Sequence, residues 1–222
     1  TLWSIPLDSF LFAKKTIFIA KPKGWSKFNR GEASLVRINY STASLEQLRK
    51  PIEEKKLAVE DRFGIVRDAF ALAQSGHLPT DQALGLALAY KKEDEYIVWA
   101  QIASDLRTIN NLIVGQPFYD QYKIFCRSIF KSVAERVGWS KEPQESHQRT
   151  LLRSVVLYGY GTNGDRKTIQ KVSVLFQEII AGVVKIDADL KGVVYNLVAE
   201  NGGEKEYLML KNLYDKTLFQ EE

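Results

Sequence analysis

The hydrophobic period of this chain changes near residue 42, and that change limits the folds that the chain can adopt. In the run from 33 to 40, Val36, Ile38 and Tyr40 alternate with other residues and share one face. A period of two is typical of a β-strand that buries one face. From Ser44 onward apolar residues recur every three or four positions, which is the period of an amphipathic helix. The sequence therefore predicts a β segment followed by a helical region.

The helical region divides into short segments that end at glycines or capping residues. In the first half of this region, helices are predicted from about Val59 to Ser75, after a cap at Thr80, over Tyr96 to Ile113, and over Phe118 to Val133 with Pro117 near the first turn. In the second half, they are predicted from Leu151 to a stop at Gly159 and Gly161, from Ile169 to Gly182, from Leu190 to Gly202, and around Tyr207 to Tyr214. Helices that recur roughly every 20 to 25 residues indicate a mainly α fold, an armadillo/HEAT-like helical superhelix.

The β segment is too small to fold alone. Its strands are the β-branched run from Thr16 to Ala20 and the alternating run from 33 to 40, and two or three strands do not make a stable sheet. We therefore predict a partial antiparallel β domain over residues 1–42 and a helical-repeat domain over 43–222. Because the chain opens at Thr1, already within a pattern, we also predict a fragment, with a helical domain truncated at its C-terminal end.

Charge and hydropathy argue against two classes of partner. The net charge is +4, and its short basic clusters, such as Lys55-Lys56 and Lys91-Lys92, are interrupted by acidic residues. Nucleic-acid binders concentrate positive charge on one face or tract, so we expect no nucleic-acid partner. No apolar stretch approaches the ~20 residues that span a bilayer, so we expect no membrane partner.

Catalytic patterns are absent from the sequence. The two histidines, His77 and His147, do not form a His-Glu-x-x-His zinc motif, and no Gly-x-Ser-x-Gly elbow occurs. The run from Gly159 to Gly164 fits Gly-x-Gly-x-x-Gly, but it follows a helical pattern rather than a strand, so we interpret it as a helix stop and turn. The single cysteine, Cys126, is predicted to be a buried residue. We expect this chain alone to be no enzyme and to hold no metal or cofactor.

Several segments, in order, resemble the C-terminal half of the gluzincin zinc aminopeptidases of the aminopeptidase N, puromycin-sensitive and endoplasmic-reticulum aminopeptidase family. The most specific is Asp61-Arg62-Phe-Gly-Ile-Val-Arg-Asp68-Ala-Phe70-Ala-Leu-Ala-Gln-Ser-Gly76. The others are Trp3-Ser-Ile-Pro-Leu7, Trp25-Ser-Lys-Phe-Asn29-Arg-Gly31 with Val36-Arg-Ile-Asn-Tyr40, Glu93-Asp-Glu95-Tyr96-x-x-Trp99, and Asp189-Leu-Lys-Gly-Val-Val-Tyr195 with Gly202-Gly203.

The resemblance implies that residues 1–42 are the end of a β-sandwich domain and that the helical domain is a non-catalytic, substrate-enclosing part of a zinc-dependent aminopeptidase. The zinc would lie in a catalytic domain upstream in the same polypeptide, and the partners would be that domain and a peptide substrate. The tail of the peptide would contact Tyr90, Lys91, Lys92 and Arg153. Extracellular members carry paired cysteines near the segment that matches 157–161; their absence here indicates a cytoplasmic protein.

A second hypothesis stays open from the sequence. The chain could be a free-standing helical-repeat adaptor that binds protein partners, since helical arrays offer extended binding surfaces. A longer parent reading frame with His-Glu-x-x-His upstream would decide for the aminopeptidase, whereas a start codon just before Thr1 would favour the adaptor.

Overall fold

The structure, a computed structural model, describes Thr16 and residues 24–216, and every regular element in this part is helical. The α-helices are α1 (Thr42–Glu53), α2 (Val59–Gln74), α3 (Thr80–Ala87), α4 (Tyr96–Ile113), α5 (Tyr119–Val137), α6 (His147–Thr162), α7 (Arg166–Ile180), α8 (Ala188–Asn201) and α9 (Glu204–Lys216). Arg30–Glu32 and Leu88–Tyr90 are short 3-10 helices. The prediction of a mainly α chain is confirmed.

Alternate helices form one continuous layer. Along this layer α2 contacts α4, α4 contacts α6, and α6 contacts α8. Each layer helix also contacts the helix that follows it, because short connections fold α3, α5, α7 and α9 back against α2, α4, α6 and α8. This is a repeated packing of helix pairs, as the spacing of the apolar segments predicts.

Two apolar cores hold the array together. The larger lies among α1 to α6 and contains Trp99 against Phe130, with ring centroids 5.5 Å apart. The smaller lies among α5 to α9 and contains Phe176 and Val194, which are fully buried. Helices α5 and α6 both supply residues to the two cores, so these two helices join the halves of the array.

The predicted helix stop at Gly159 and Gly161 is wrong. Both residues lie inside α6, which continues to Thr162. A Cβ at Gly159 would stand 2.6 Å from the Phe130 ring, and one at Gly161 would stand 2.5 Å from Leu197. The glycines therefore allow α5 and α8 to approach the α6 backbone closely, and a packing requirement, not a turn, explains them.

The strand predicted over residues 33–40 is also wrong, and the other predicted strand, Thr16 to Ala20, lies outside the described residues except for Thr16. Residues 33–40 carry no ladder partner within 24–216, and side chains bind their backbone instead. Asp68 Oδ2 accepts a 2.9 Å hydrogen bond from Ile38 N, and Asn29 Oδ1 accepts one of 2.9 Å from Ser34 N. Of the alternating apolar residues, Tyr40 is buried, Ile38 is half-buried and Val36 is 48% exposed, so among the described residues the period of two does not mark one buried face.

Charged side chains fix this N-terminal segment to α2. Asp61 Oδ1 accepts a 2.7 Å hydrogen bond from Gly31 N, and Glu32 forms ion pairs with Lys27 and Arg67. Gly64 leaves the space that the Glu32 carboxylate occupies, since a Cβ there would collide with it. The segment therefore packs with the helices, and the predicted boundary between domains at residue 42 stays a prediction.

The predicted cap of α3 also differs in the structure. Thr80 is the first residue of that helix, and Pro79, which has no side-chain cap, stands at the N-cap position.

Candidate functional site

Of the predicted site residues 90 to 92, Tyr90 ends the 3-10 helix Leu88–Tyr90, and Lys91 and Lys92 lie in the short connection from that helix to α4. The Tyr90 side chain is fully buried, and its hydroxyl donates a 2.7 Å hydrogen bond to Arg62 O. Burial raises the pKa of the Tyr90 hydroxyl well above its usual value. Lys91 is half-buried and Lys92 is exposed. The tyrosine is therefore part of the core, and the two lysines are the residues of this trio that solvent reaches.

A buried ion pair holds this connection against α2. The Glu93 carboxylate accepts two hydrogen bonds from the Arg62 guanidinium, at 2.6 Å from Nε and 3.0 Å from Nη2. Arg62 Nη1 donates to Leu57 O at 2.6 Å, and Glu93 Oε1 also accepts from the backbone N–H groups of Asp94 and Glu95. Both charged groups are thus satisfied, which a buried pair requires.

Arg136, near the end of α5, holds the same connection from the other side. Its Nη1 donates 2.8 Å to Lys91 O and 2.9 Å to Ser132 Oγ, and its Nη2 donates 2.5 Å to Glu93 O. Ser132 Oγ also donates to Lys91 O at 3.1 Å. The backbone of Lys91 is therefore fixed by two side chains of α5.

The fourth predicted residue, Arg153, lies inside α6 with 1% of its side chain exposed. Its two terminal nitrogens donate 2.5 Å hydrogen bonds to the two carboxylate oxygens of Glu145, and Nε donates to Val137 O and Gly138 O. The hydrogen bonds from Arg153 lower the pKa of Glu145 to about 2. Arg153 therefore binds the connection between α5 and α6 in this structure.

One chain of contacts links the two groups of predicted residues. Arg149 Nη2 donates a 3.4 Å hydrogen bond to Arg136 O, and Arg149 Nε lies 3.6 Å from the Glu145 carboxylate that Arg153 binds. The segment at 90–93 and the Arg153 pair thus lie at the same edge of the array, joined through Arg136 and Arg149. Whether any of the four predicted residues contacts a peptide stays a prediction.

Sequence reasoning missed Arg136, Glu145 and the partnership of Arg62 with Glu93. Arg62 lies near the start of α2 and binds Glu93 from a different segment. The sequence contained a signal for Glu93, because this residue belongs to the Glu-x-Glu-Tyr-x-x-Trp block that resembles the aminopeptidase family. In the structure, Trp99 of that block donates its Nε1–H to Glu93 O at 3.1 Å. Arg136 does not belong to any of the segments that resemble the aminopeptidase family.

One groove among the described residues lies away from these groups. It has a volume of about 470 Å³ and is formed by α7, α8 and the start of α9, with Arg166, Val174 and Glu206 on its walls. None of the four predicted residues lines it.

The described residues offer no fit for a metal ion. Residues 24–216 contain no group of three or more His, Cys, Asp or Glu side chains that could hold one. His77 Nδ1 lies 3.0 Å from Ser75 Oγ, and Cys126 is buried. Within the same residues, no helix is both long and apolar enough to cross a bilayer.

Comparison with known families decides what kind of domain this is. The model of the ERAP1-like C-terminal domain matches residues 25–222, which is most of the chain. The chain belongs to the ERAP1-like C-terminal domain family. The helical segments and the ion pairs described above are thus features of one member of this family.

Curated relatives of this ERAP1-like C-terminal domain are aminopeptidases. Puromycin-sensitive aminopeptidase of Caenorhabditis elegans is 28% identical over 93% of this chain and 22% of its own length. Alanine/arginine aminopeptidase of Saccharomyces cerevisiae is 30% identical over 94% of the chain and 24% of its own length, and human glutamyl aminopeptidase is 26% identical over 91% and 23%. The chain therefore spans about a quarter of the length of these relatives.

Proposed function

We propose that this ERAP1-like C-terminal domain is the non-catalytic, substrate-enclosing region of a zinc-dependent aminopeptidase that removes N-terminal residues from peptides. The observation that carries the proposal is the family match over residues 25–222 together with aminopeptidase relatives that are about four times longer. In the proposal, zinc and the catalytic residues belong to another part of the same polypeptide, and this region contacts both that part and the peptide.

The fold supports this division of roles. Helix pairs packed side by side give a stiff wall, because each pair is held to the next through a continuous layer and two apolar cores. Two sets of buried charged groups, Arg62 with Glu93 and Arg153 with Glu145, form matched pairs. Paired and buried groups stabilise a scaffold, whereas acid–base catalysis needs groups that reach the substrate.

We propose that the parent protein is cytoplasmic and that Lys91 and Lys92 are the predicted residues nearest to a peptide tail. Their exposure supports a ligand role more directly than the burial of Tyr90 and Arg153 does. The single cysteine, which is buried, is compatible with a reducing compartment.

Separation of the helical region from the rest of the protein tests the proposal. We expect the full-length natural protein to release N-terminal residues from peptides, to lose that activity on treatment with a zinc chelator, and to regain it when zinc is restored. We expect residues 1–222 alone, shown to be folded by circular dichroism, to release none. Peptide trimming by residues 1–222, or a full-length protein without such activity, would overturn the proposal.

A further inference from the structure

Helix α5 carries positive charge and an apolar side chain on one side that solvent reaches. Ile124, Arg127 and Lys131 follow one another at steps of three and four residues, which places them on the same side of the helix. Lys131 is exposed, Arg127 is half-buried, and Ile124 is 57% exposed although it is apolar. This side of α5 therefore combines cations with uncovered apolar surface.

Helix α7 repeats the combination. Lys167, Lys171 and Val174 are separated by four and three residues, so they also share one side of their helix. Both lysines are exposed, and Val174 is 50% exposed. Neither α5 nor α7 belongs to the continuous layer of α2, α4, α6 and α8. The two mixed faces thus lie on helices outside that layer.

Arg127 brings the two faces into one region of the molecule. Its Nη1 donates a hydrogen bond to Asn163 O, and a Cβ at Gly164 would stand 3.3 Å from the same atom. Gly164 lies two residues before the start of α7, and Lys167 is the second residue of that helix. We call the combined face the α5/α7 surface, which comprises Ile124, Arg127, Lys131, Lys167, Lys171 and Val174.

The positive charge of the α5/α7 surface is not neutralised by the described part of the chain. Within residues 24–216, none of its four cations forms an ion pair with a carboxylate, whereas the neighbouring Lys123 lies 3.0 Å from Asp120. Asp165, at the start of α7, acts as the helix cap, and its Oδ2 accepts a 2.9 Å hydrogen bond from Thr168 N. The cations are therefore available to an anionic partner.

The mixture of cations and apolar side chains favours one class of partner. A nucleic-acid backbone would offer phosphates to the cations but no apolar side chains to Ile124 and Val174. A helix that binds a membrane buries a broad apolar face, whereas α5 and α7 each add a single apolar side chain to this surface. A polypeptide that alternates acidic and apolar residues complements both features.

We propose that the α5/α7 surface docks an acidic segment of a partner protein, whose carboxylates bind the cations and whose apolar side chains contact Ile124 and Val174. None of the residues predicted to contact the peptide substrate belongs to this surface. The proposal therefore goes beyond the proposed function and does not depend on it.

The test measures binding of acidic tails to the full-length protein. Each tail is fused to a folded carrier protein, which keeps it out of an enclosed peptide site. One tail alternates glutamate with leucine, a second has glutamine in place of glutamate, and a third has serine in place of leucine. We expect the wild-type protein to bind the glutamate/leucine tail about tenfold more tightly than either of the others, by biolayer interferometry at low ionic strength.

Two variants assign that binding to the α5/α7 surface. Lys131→Gln/Lys167→Gln should weaken binding of the glutamate/leucine tail about fivefold, because two exposed charge interactions are lost. Val174→Ser should weaken binding of the same tail about threefold and leave binding of the glutamate/serine tail unchanged, since only leucine uses the apolar contact. Peptide trimming should be unchanged in both variants.

Lys50→Gln/Lys56→Gln is the matched control, because it removes the same charge from two lysines that pair with Glu54. It should leave the Kd of every tail unchanged. Equal losses in the two double variants, or a wild-type protein that binds the three tails equally, would show that no acidic segment docks here. Tighter binding of duplex DNA or of phosphatidylserine-containing vesicles than of the glutamate/leucine tail, lost in Lys131→Gln/Lys167→Gln, would also overturn the inference, since the partner would then be a nucleic acid or a membrane.

Discussion

Replacement of Gly159 by alanine is expected to lower the free energy of unfolding by about 2 to 3 kcal/mol. The new Cβ would stand 2.6 Å from two carbons of the Phe130 ring, which is 1% exposed. That ring cannot move away freely, since its other neighbours include Trp99, at 5.5 Å between ring centroids. The better helix propensity of alanine, worth about 1 kcal/mol, only partly offsets the strain. Thermal unfolding should show a melting temperature lower by about 5 to 10 °C.

A matched substitution shows whether the effect comes from packing. Gly192 lies inside α8, and a Cβ there would meet no atom within 4 Å. Gly192→Ala should therefore raise stability by about 0.5 to 1 kcal/mol. Adding Phe130→Leu to Gly159→Ala should recover part of the loss, because the smaller side chain vacates space. Equal effects of the two alanine substitutions would contradict the close approach of α5 to α6.

The second large effect is expected at the buried ion pair. Arg62→Met should lower the free energy of unfolding by about 3 to 5 kcal/mol, because it leaves the Glu93 carboxylate buried without its charged partner. The side chains of Arg62 and Glu93 are 5% and 1% exposed, so water cannot replace the guanidinium. Urea unfolding at neutral pH measures the loss.

Arg49→Met is the matched control for this pair. Arg49 binds Glu46 on the exposed surface of α1, where a pair contributes about 0.2 to 1 kcal/mol. The double variant Arg62→Met/Glu93→Gln should be more stable than Arg62→Met, since the amide carries no charge to bury. A loss at Arg62 no greater than the loss at Arg49 would show that the pair does not hold the 90–95 connection to α2.

The helices with a strong apolar period could be predicted from sequence because burial of one face determines them. The predicted limits of α4, for example, are those observed. The end of α6 could not be predicted in this way, because Gly159 and Gly161 are required by Phe130 and Leu197, which are distant in sequence. Period alone also misread residues 33–40, because Ile38 and Tyr40 pack against the helices whereas the alternating Val36 is exposed.

The candidate site was predictable only in its position. The resemblance predicted residues 90–92 and Arg153 as site residues. The structure brings both groups to one edge of the array through Arg136 and Arg149. The resemblance could not indicate which cations are neutralised, because Arg153 in α6 pairs with Glu145, eight positions earlier and just before that helix. Whether a basic side chain is free to bind a ligand depends on partners that only the tertiary fold brings close to it.

The measurement that tests substrate enclosure most directly compares long and short substrates in the full-length protein. Lys91→Glu/Lys92→Glu reverses the charge of the half-buried Lys91 and of the exposed Lys92, at the edge that we propose faces the peptide tail. The account predicts that KM for a peptide of about ten residues rises roughly tenfold, the effect of about 1.4 kcal/mol of lost binding, while kcat/KM for a single amino-acid amide is unchanged. An unchanged KM for the long peptide, or an equal loss for both substrates, would contradict it.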